Sequence, residues 1–229
     1  MNTLLLIGGQ EKMTQAIAMA KKPQIIIATP GRLIDLINNF KGISLKTVQY
    51  FILDEADKIL KMDLNNEVED LSKIIPKKRH TYLFSATLTD KLRKYKNMLT
   101  KVHEMVQIDY TFKTVDTLKQ YYVLAPVEYK EVYLVYILKK SDFTSFLVFC
   151  NKSAEAQRIS LLLRNLGFTA IPLYGAMTQE KRFAAIQKFK SQQRSILVAT
   201  DVASRGIDIE HIDLVINYDV PLPVDYVHR

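Results

Sequence analysis

The chain has a single cysteine, Cys150, among its 229 residues. No internal disulfide can form, so the fold must rest on burial and hydrogen bonding. Cys150 follows Phe146-Leu147-Val148-Phe149, a setting that suits a packed core thiol better than a nucleophile and fits a reducing compartment. No apolar run is long enough to cross a bilayer. The run Leu4-Leu5-Leu6-Ile7 is too short for a signal-peptide core and is followed at once by Gly8-Gly9-Gln10-Glu11. These absences lead us to expect a soluble, intracellular protein. His80, His103, His211 and His228 make no Cys/His set with zinc spacing. No Ser-His-Asp set or nucleophile elbow is present. There is also no phosphate loop of the form G-x-x-x-x-G-K followed by Ser or Thr, no short-period repeat and no low-complexity tract.

What is present begins with charge. A formal net charge of +8 favours a polyanionic partner, nucleic acid being the commonest, against the alternative of a solvated basic surface. Short apolar runs alternate with amphipathic segments along the chain. Strands are expected at 25–28, 48–53, 81–84 and 103–108, with helices at 31–40, 65–75 (ended by Pro76) and 89–99. The pattern then restarts. Strands are expected at 118–124, 146–150 and 168–173 and around Ile196 and Leu214, with helices at 128–139, 153–166 and 179–189. Gly167 supplies the stop for the helix at 153–166. Near-continuous apolar strands alternating with helices predict an α/β fold with parallel sheets covered on both faces. The polar segment 110–117 reads as a linker between two α/β units, 1–109 and 118–229.

Four groups of residues carry candidate chemistry. Asp54-Glu55-Ala56-Asp57 follows Phe51-Ile52-Leu53, so two carboxylates sit where a buried strand emerges. A hard divalent ion takes oxygen ligands, and an attacking water needs a carboxylate beside it. One reading puts Asp54 on Mg²⁺ through water and Glu55 on the water that attacks a γ-phosphate. The other makes both carboxylates helix caps. Thr29-Pro30-Gly31-Arg32 follows the next apolar run upstream. Its proline starts a helix, its glycine permits close approach, its N-terminal N–H groups face an anion, and Arg32 adds charge. The alternative is an ordinary strand–turn–helix junction. Gly8-Gly9 offers a second approach point. Ser85-Ala86-Thr87 places two hydroxyls after a strand, either to couple the acidic loop to the second unit or to cap a helix. In the second half, Thr200 to Asp208 brings a hydroxyl, Gly206, two carboxylates and Arg205 into one loop after Ile196-Leu197-Val198. A loop this polar at a strand end is a site in an open α/β sheet. Gln179 and Arg182 open a helix and face either a phosphate backbone or solvent.

In this order the motifs resemble those of the DEAD-box ATP-dependent RNA helicases. The resemblance runs from Gly8-Gly9 through Thr29–Arg32, Asp54–Asp57, Ser85–Thr87, Val148–Cys150, Gln179 with Arg182 and Thr200–Asp208 to Tyr226-Val227-His228-Arg229. The stretches KKPQIIIATPGRLIDLI, LLLRNLGFTAIPL and RSILVATDVASRGIDI look most like the eukaryotic branch that helps process ribosomal RNA. The resemblance implies two RecA-like domains that clamp ATP and RNA across a cleft and separate short duplexes locally. Asp54 and Glu55 would then serve Mg²⁺ and water, and Ser85 and Thr87 would couple hydrolysis to unwinding. Gly206 and Asp208 would reach the nucleotide from the second domain, and His228 would contact the acidic loop on closure. Gly9, Thr29, Gly31, Arg32, Gly175, Gln179, Arg182 and Thr200 would line the RNA path, with Tyr174 standing where the family often has His. ATP and Mg²⁺ are the implied cofactors. RNA, held by its backbone, and pre-ribosomal proteins are the implied partners. A monomer in the nucleus, specifically the nucleolus, is the implied setting, with the cytoplasm as alternative.

The chain departs from the family's pattern at both ends. The adenine-reading Gln motif, the phosphate loop and a further RNA motif expected upstream of Gly8 are absent, as are two arginines expected beyond Arg229. Both domains are therefore expected to be incomplete, the first without its N-terminal strands and the second without its C-terminal end. The first should expose unpaired strand edges and apolar surface. Little ATPase activity is expected from these residues alone, and the alternative function is a non-catalytic remnant that binds RNA or a partner.

Overall fold

The computed structural model of the chain describes residues 1–61, 65–85, 92–93, 99, 104–106, 117–201, 209, 211–226 and 228–229. The chain divides into two compact units, Met1–Tyr110 and Thr111–Arg229.

The first unit contains two parallel strand pairs. β1 (Thr3–Leu6) pairs with β2 (Ile25–Ala28), and β3 (Tyr50–Leu53) pairs with β4 (His80–Leu83). Between them run α1 (Lys12–Ala20), α2 (Pro30–Asn39), α3 (Ala56–Lys61) and α4 (Asn65–Ile74). Leu6, Met19, Leu36, Leu45, Leu71 and Ile75 form one core, with Leu4, Ile26 and Ala28 packed on it. Leu53, Ala56, Val68, Leu92 and Leu99 form another. Sheets covered on both faces were the expectation, and among the described residues of this unit they are not found. Burial alternates along each strand, because the described helices cover only one face. Ile27 and Ile52 on the other face are 56% and 57% exposed, and Leu5, Tyr50 and Tyr82 are exposed beside them.

In the second unit the expected strand at 118–124 is absent. The segment has no ladder partner, and Tyr121, Tyr122 and Leu124 are exposed. Apolar composition does not make a strand when no neighbour pairs with its backbone. Residues 104–106, the described part of the expected strand at 103–108, have no regular structure. A short 3₁₀ turn (Val127–Tyr129) leads into α5 (Lys130–Lys140). Then follow β5 (Phe146–Phe149), α6 (Ser153–Asn165), β6 (Ala170–Leu173), α7 (Gln179–Lys190), β7 (Ile196–Ala199), β8 (Leu214–Asn217) and α8 (Pro223–Tyr226). The strands are all parallel, in the order β6-β7-β5-β8.

Here the sheet is covered on both faces, and β5 and β7 are buried along their whole length. Phe146, Val148, Ile196 and Val198 face α5 and α6 through Leu134, Leu138, Ile159 and Leu163. Leu147, Phe149, Leu197 and Ala199 face α7 through Ala185 and Phe189. Helix α6 ends as its sequence predicts. Gly167 takes φ 89°, its N–H donates to Arg164 O, and Phe168 N–H donates to Leu163 O, the paired bonds of a left-handed helix terminator.

Leu163 is fully buried on α6, whereas Leu161 on the same helix is 52% exposed. Leu163→Ala should lower stability by about 3 kcal/mol in urea denaturation. Leu161→Ala should lower it by less than about 0.5 kcal/mol.

Candidate functional site

Parallel pairing brings the first two motifs together. Leu6 lies opposite Ala28, so Gly8-Gly9 and Thr29–Arg32 leave the sheet side by side. Thr29 N–H donates to Leu6 O at 3.0 Å. Gly9 takes φ 77°, a backbone that side-chain-bearing residues rarely adopt. Pro30 occupies the first turn of α2, as the sequence predicts. The Arg32 guanidinium donates to Gln10 O at 2.9 Å, and Gln15 Nε2 donates to Ile7 O at 3.1 Å. Lys12 on α1 pairs with Asp35 on α2. Thus Arg32 braces the Gly8-Gly9 loop in addition to supplying charge. The expected RNA-path residues Gly9, Thr29, Gly31 and Arg32 share one end of the β1–β2 pair.

The acidic loop and Ser85 meet in the same way. Leu53 lies opposite Leu83. Phe84 N–H donates to Leu53 O at 2.8 Å and Ala56 N–H donates to Phe84 O at 3.0 Å, so the residue before Ser85 is tied to both sides of Asp54-Glu55. Glu55 N–H donates to Asp54 Oδ1 at 2.9 Å. Asp57, 3% exposed, accepts from Lys58 N–H at 2.9 Å. Asp57 is thus turned inward at the start of α3, whereas Asp54 is exposed and Glu55 half-buried. The donor set suits Mg²⁺, which keeps several waters and needs only one or two carboxylates. Among the described residues, no group of three or more His, Cys, Asp or Glu side chains forms a closed metal cage. Thr87 lies outside the described residues.

In the second unit the candidate residues again gather at strand carboxyl ends, where open α/β sheets bind ligands. Gly175 follows β6 and is exposed. Thr200 follows β7, is 5% exposed, and donates its N–H to Leu173 O. At the start of α7, Thr178 caps Lys181 N–H, and the Arg182 guanidinium lies 3.4 Å from Gln179 Oε1. His228 N–H donates to Asp225 O. Gly206 and Asp208 lie outside the described residues.

One residue that the motif reading left without a role is Arg229. Its side chain is 1% exposed. Nε and Nη2 donate to the two carboxylate oxygens of Asp201 at 2.6 and 2.8 Å, and Nη2 also donates to Asn151 Oδ1. Nη1 donates to Asn217 Oδ1 and Asp219 O. The guanidinium stacks over Phe149 at 5.0 Å. All five donors of an arginine are thereby used, and the ends of β5, β7 and β8 are held together. Tyr226-Val227-His228-Arg229 marks the position in sequence, but the partners are visible only when the three strands are adjacent. Next to this network, burial pushes the Cys150 thiol up to about 12, followed by the nearby Asp219 and Glu155 carboxylates. This agrees with an inert core thiol.

Arg229→Met should lower stability by about 2–3 kcal/mol in chemical denaturation. Arg229→Lys should recover less than half of that, because an ammonium cannot reproduce the fork. Asp219 supplies a pH signature. Burial pushes its carboxyl upward, but the bond from Lys130 Nζ and the Asn151 N–H outweigh this and hold it below the usual range. A depressed folded-state pKa stabilises the fold above the unfolded value, about 3.9, and that contribution is lost as pH falls through the folded value. Asp219→Asn should therefore be less stable at neutral pH and lose less stability on acidification. Denaturation midpoints measured between neutral pH and about pH 2 would check both.

Comparison with known proteins agrees with this geometry. A DEAD/DEAH box helicase model matches residues 1–95, and a helicase conserved C-terminal domain model matches residues 129–229. The human "Probable ATP-dependent RNA helicase DDX47" is 50% identical over 98% of this chain and 50% of its own length. The Schizosaccharomyces pombe "ATP-dependent rRNA helicase rrp3" is 46% identical over 99% of this chain and 49% of its own. Among solved structures, S. cerevisiae Dbp5 bound to RNA and ADP BeF3 has a TM-score of 0.85 at 27% identity, covering 100% of this chain and 59% of that one. The chain spans about half the length of the curated relatives it matches. With both helicase models matched in order, and α/β units whose strand ends carry their motifs, the chain belongs to the DEAD-box helicase family.

Proposed function

We propose that the protein is an ATP-dependent RNA helicase acting in ribosomal RNA processing. The observation that carries this reading is the junction of β3 and β4. Two carboxylates and the backbone leading to Ser85 are fastened there by the Ala56–Phe84 and Phe84–Leu53 bonds. Such a junction lets a nucleotide-dependent change at Asp54-Glu55 reach the chain at Ser85 directly. The relatives named for rRNA helicase activity supply the substrate class.

Asp54 would hold Mg²⁺ through water, keeping Oδ2 for that purpose while Oδ1 takes the Glu55 N–H. Glu55 would orient the water that attacks the γ-phosphate. The bound ion would neutralise charge on the phosphates as the bond to the leaving group breaks. Gly9, Thr29, Gly31 and Arg32 on one strand pair, and Gly175, Gln179, Arg182 and Thr200 in the other unit, would bind the RNA backbone through N–H groups and charge. Ser85 and Thr87 would couple hydrolysis to unwinding. Gly206, Asp208 and His228 would join the nucleotide site from the second unit. The protein would work as a monomer among pre-ribosomal proteins in the nucleolus. The 229 residues by themselves would turn over little ATP, since they carry no Gly-rich phosphate loop.

An RNA-stimulated ATPase assay on this chain and on the full-length protein tests the reading. Turnover is expected from the full-length protein and little from the chain alone. Glu55→Gln should cut full-length turnover by about 10²–10⁴ while leaving RNA binding intact. RNA affinity should fall steeply as salt rises. RNA binding without turnover in the full-length protein would favour a non-catalytic remnant instead.

A further inference from the structure

Glu55 has a backbone φ of 47°. Three other described non-glycine residues lie in the left-handed region: Lys22 and Gln192 just past helix ends, where that conformation terminates helices, and His211 in the segment before β8. Glu55 instead precedes α3, where helix termination gives no reason for it. Such backbone persists only where surrounding bonds over-determine it. Asp54 Oδ1 holds its N–H, and Ala56 N–H anchors the next peptide to Phe84 O. Its O accepts from Lys58 and Ile59 N–H.

The side chain has one further tie. Lys58 Nζ lies 2.8 Å from Glu55 Oε2, in an ion pair spaced i to i+3. The Lys58 side chain is only 23% exposed, against 37% for that of Glu55, so its stem lies along the protein surface instead of extending into solvent. Lys58 N–H donates to Asp57 Oδ1, which fixes the start of the helix that carries the ammonium. Among the described residues, the structure shows no partner for Oε1.

We propose that Lys58 is a positioning residue: its ammonium holds Oε2 of Glu55 and so presents Oε1 to the attacking water. The contact is local to α3 and is made within a single unit, so the carboxylate is oriented by that unit alone. This inference rests on the reading of Glu55 as the residue beside that water.

The test is ATP hydrolysis by the full-length protein at saturating single-stranded RNA. Parent, Lys58→Met, Lys58→Arg, Glu55→Gln and the Lys58→Met/Glu55→Gln double variant would be compared. Lys58→Met should lower kcat about tenfold, a part of what a positioned base contributes. Its KM for ATP, RNA affinity and melting temperature should remain those of the parent. Lys58→Arg should restore kcat, and Lys58→Met should cost nothing further once Glu55 is Gln. Unchanged kcat in Lys58→Met overturns the proposal. A raised kcat overturns it by making the pair a restraint. Parallel loss of ATP or RNA affinity, or failure of Lys58→Arg to rescue, reduces Lys58 to a structural role. A parent with no turnover overturns the helicase reading, and this assignment falls with it.

Discussion

In a parallel ladder all strands run the same way, so their carboxyl ends emerge together and the loops that follow become neighbours. The candidate chemistry here depends on that constraint. Leu6 opposite Ala28 brings Gly9 beside Thr29. Leu53 opposite Leu83 brings Asp54 and Glu55 beside Ser85. In the second unit the ladder β6-β7-β5-β8 sets Gly175, Thr200, Asn151 and Asp219 along one sheet edge. Residues distant in sequence become a site because antiparallel hairpins would have sent alternate loops to the opposite edge.

The two units meet the cost of their buried strands differently. In the second, side chains of alternating orientation on β5 and β7 enter separate cores on the two faces, and Arg229 ties three strand ends together. In the first, the described helices cover one face, and the strands leave Ile27, Ile52 and Tyr82 exposed. Exposed apolar faces of this kind invite association. The site in the first unit nevertheless keeps its local bonds, because the ties from Ala56 to Phe84 and from Arg32 to Gln10 involve backbone groups next to the strand ends.

Much of this was legible in the chain. The strand 25–28, the proline that opens α2 and the glycine that ends α6 follow from local preferences, and local preferences suffice there because each feature is decided by a few adjacent residues. The run Leu4-Leu5-Leu6-Ile7 shows in sequence only that it is too short for a signal core, and neither β1 (Thr3–Leu6) nor α1 is expected from it. The segment 118–124 was expected to be a strand and is not, because a strand exists only with a partner. At the acidic turn the sequence left metal binding and capping open. The structure turns only Asp57, the second residue of α3, inward, and leaves Asp54 exposed and Glu55 half-buried.

By itself, the sequence determined the alternation of strands and helices, the motif set that carries the family resemblance and the inertness of the lone cysteine, each written in contiguous residues and their periodicity. The tertiary structure alone decided which sheet faces are covered, that Arg229 uses every donor within the fold, and that Glu55 takes a left-handed backbone where Ala56 is tied to Phe84. Those depend on which strand ends become adjacent and which way a single φ turns, and neither is encoded in any one stretch of the chain.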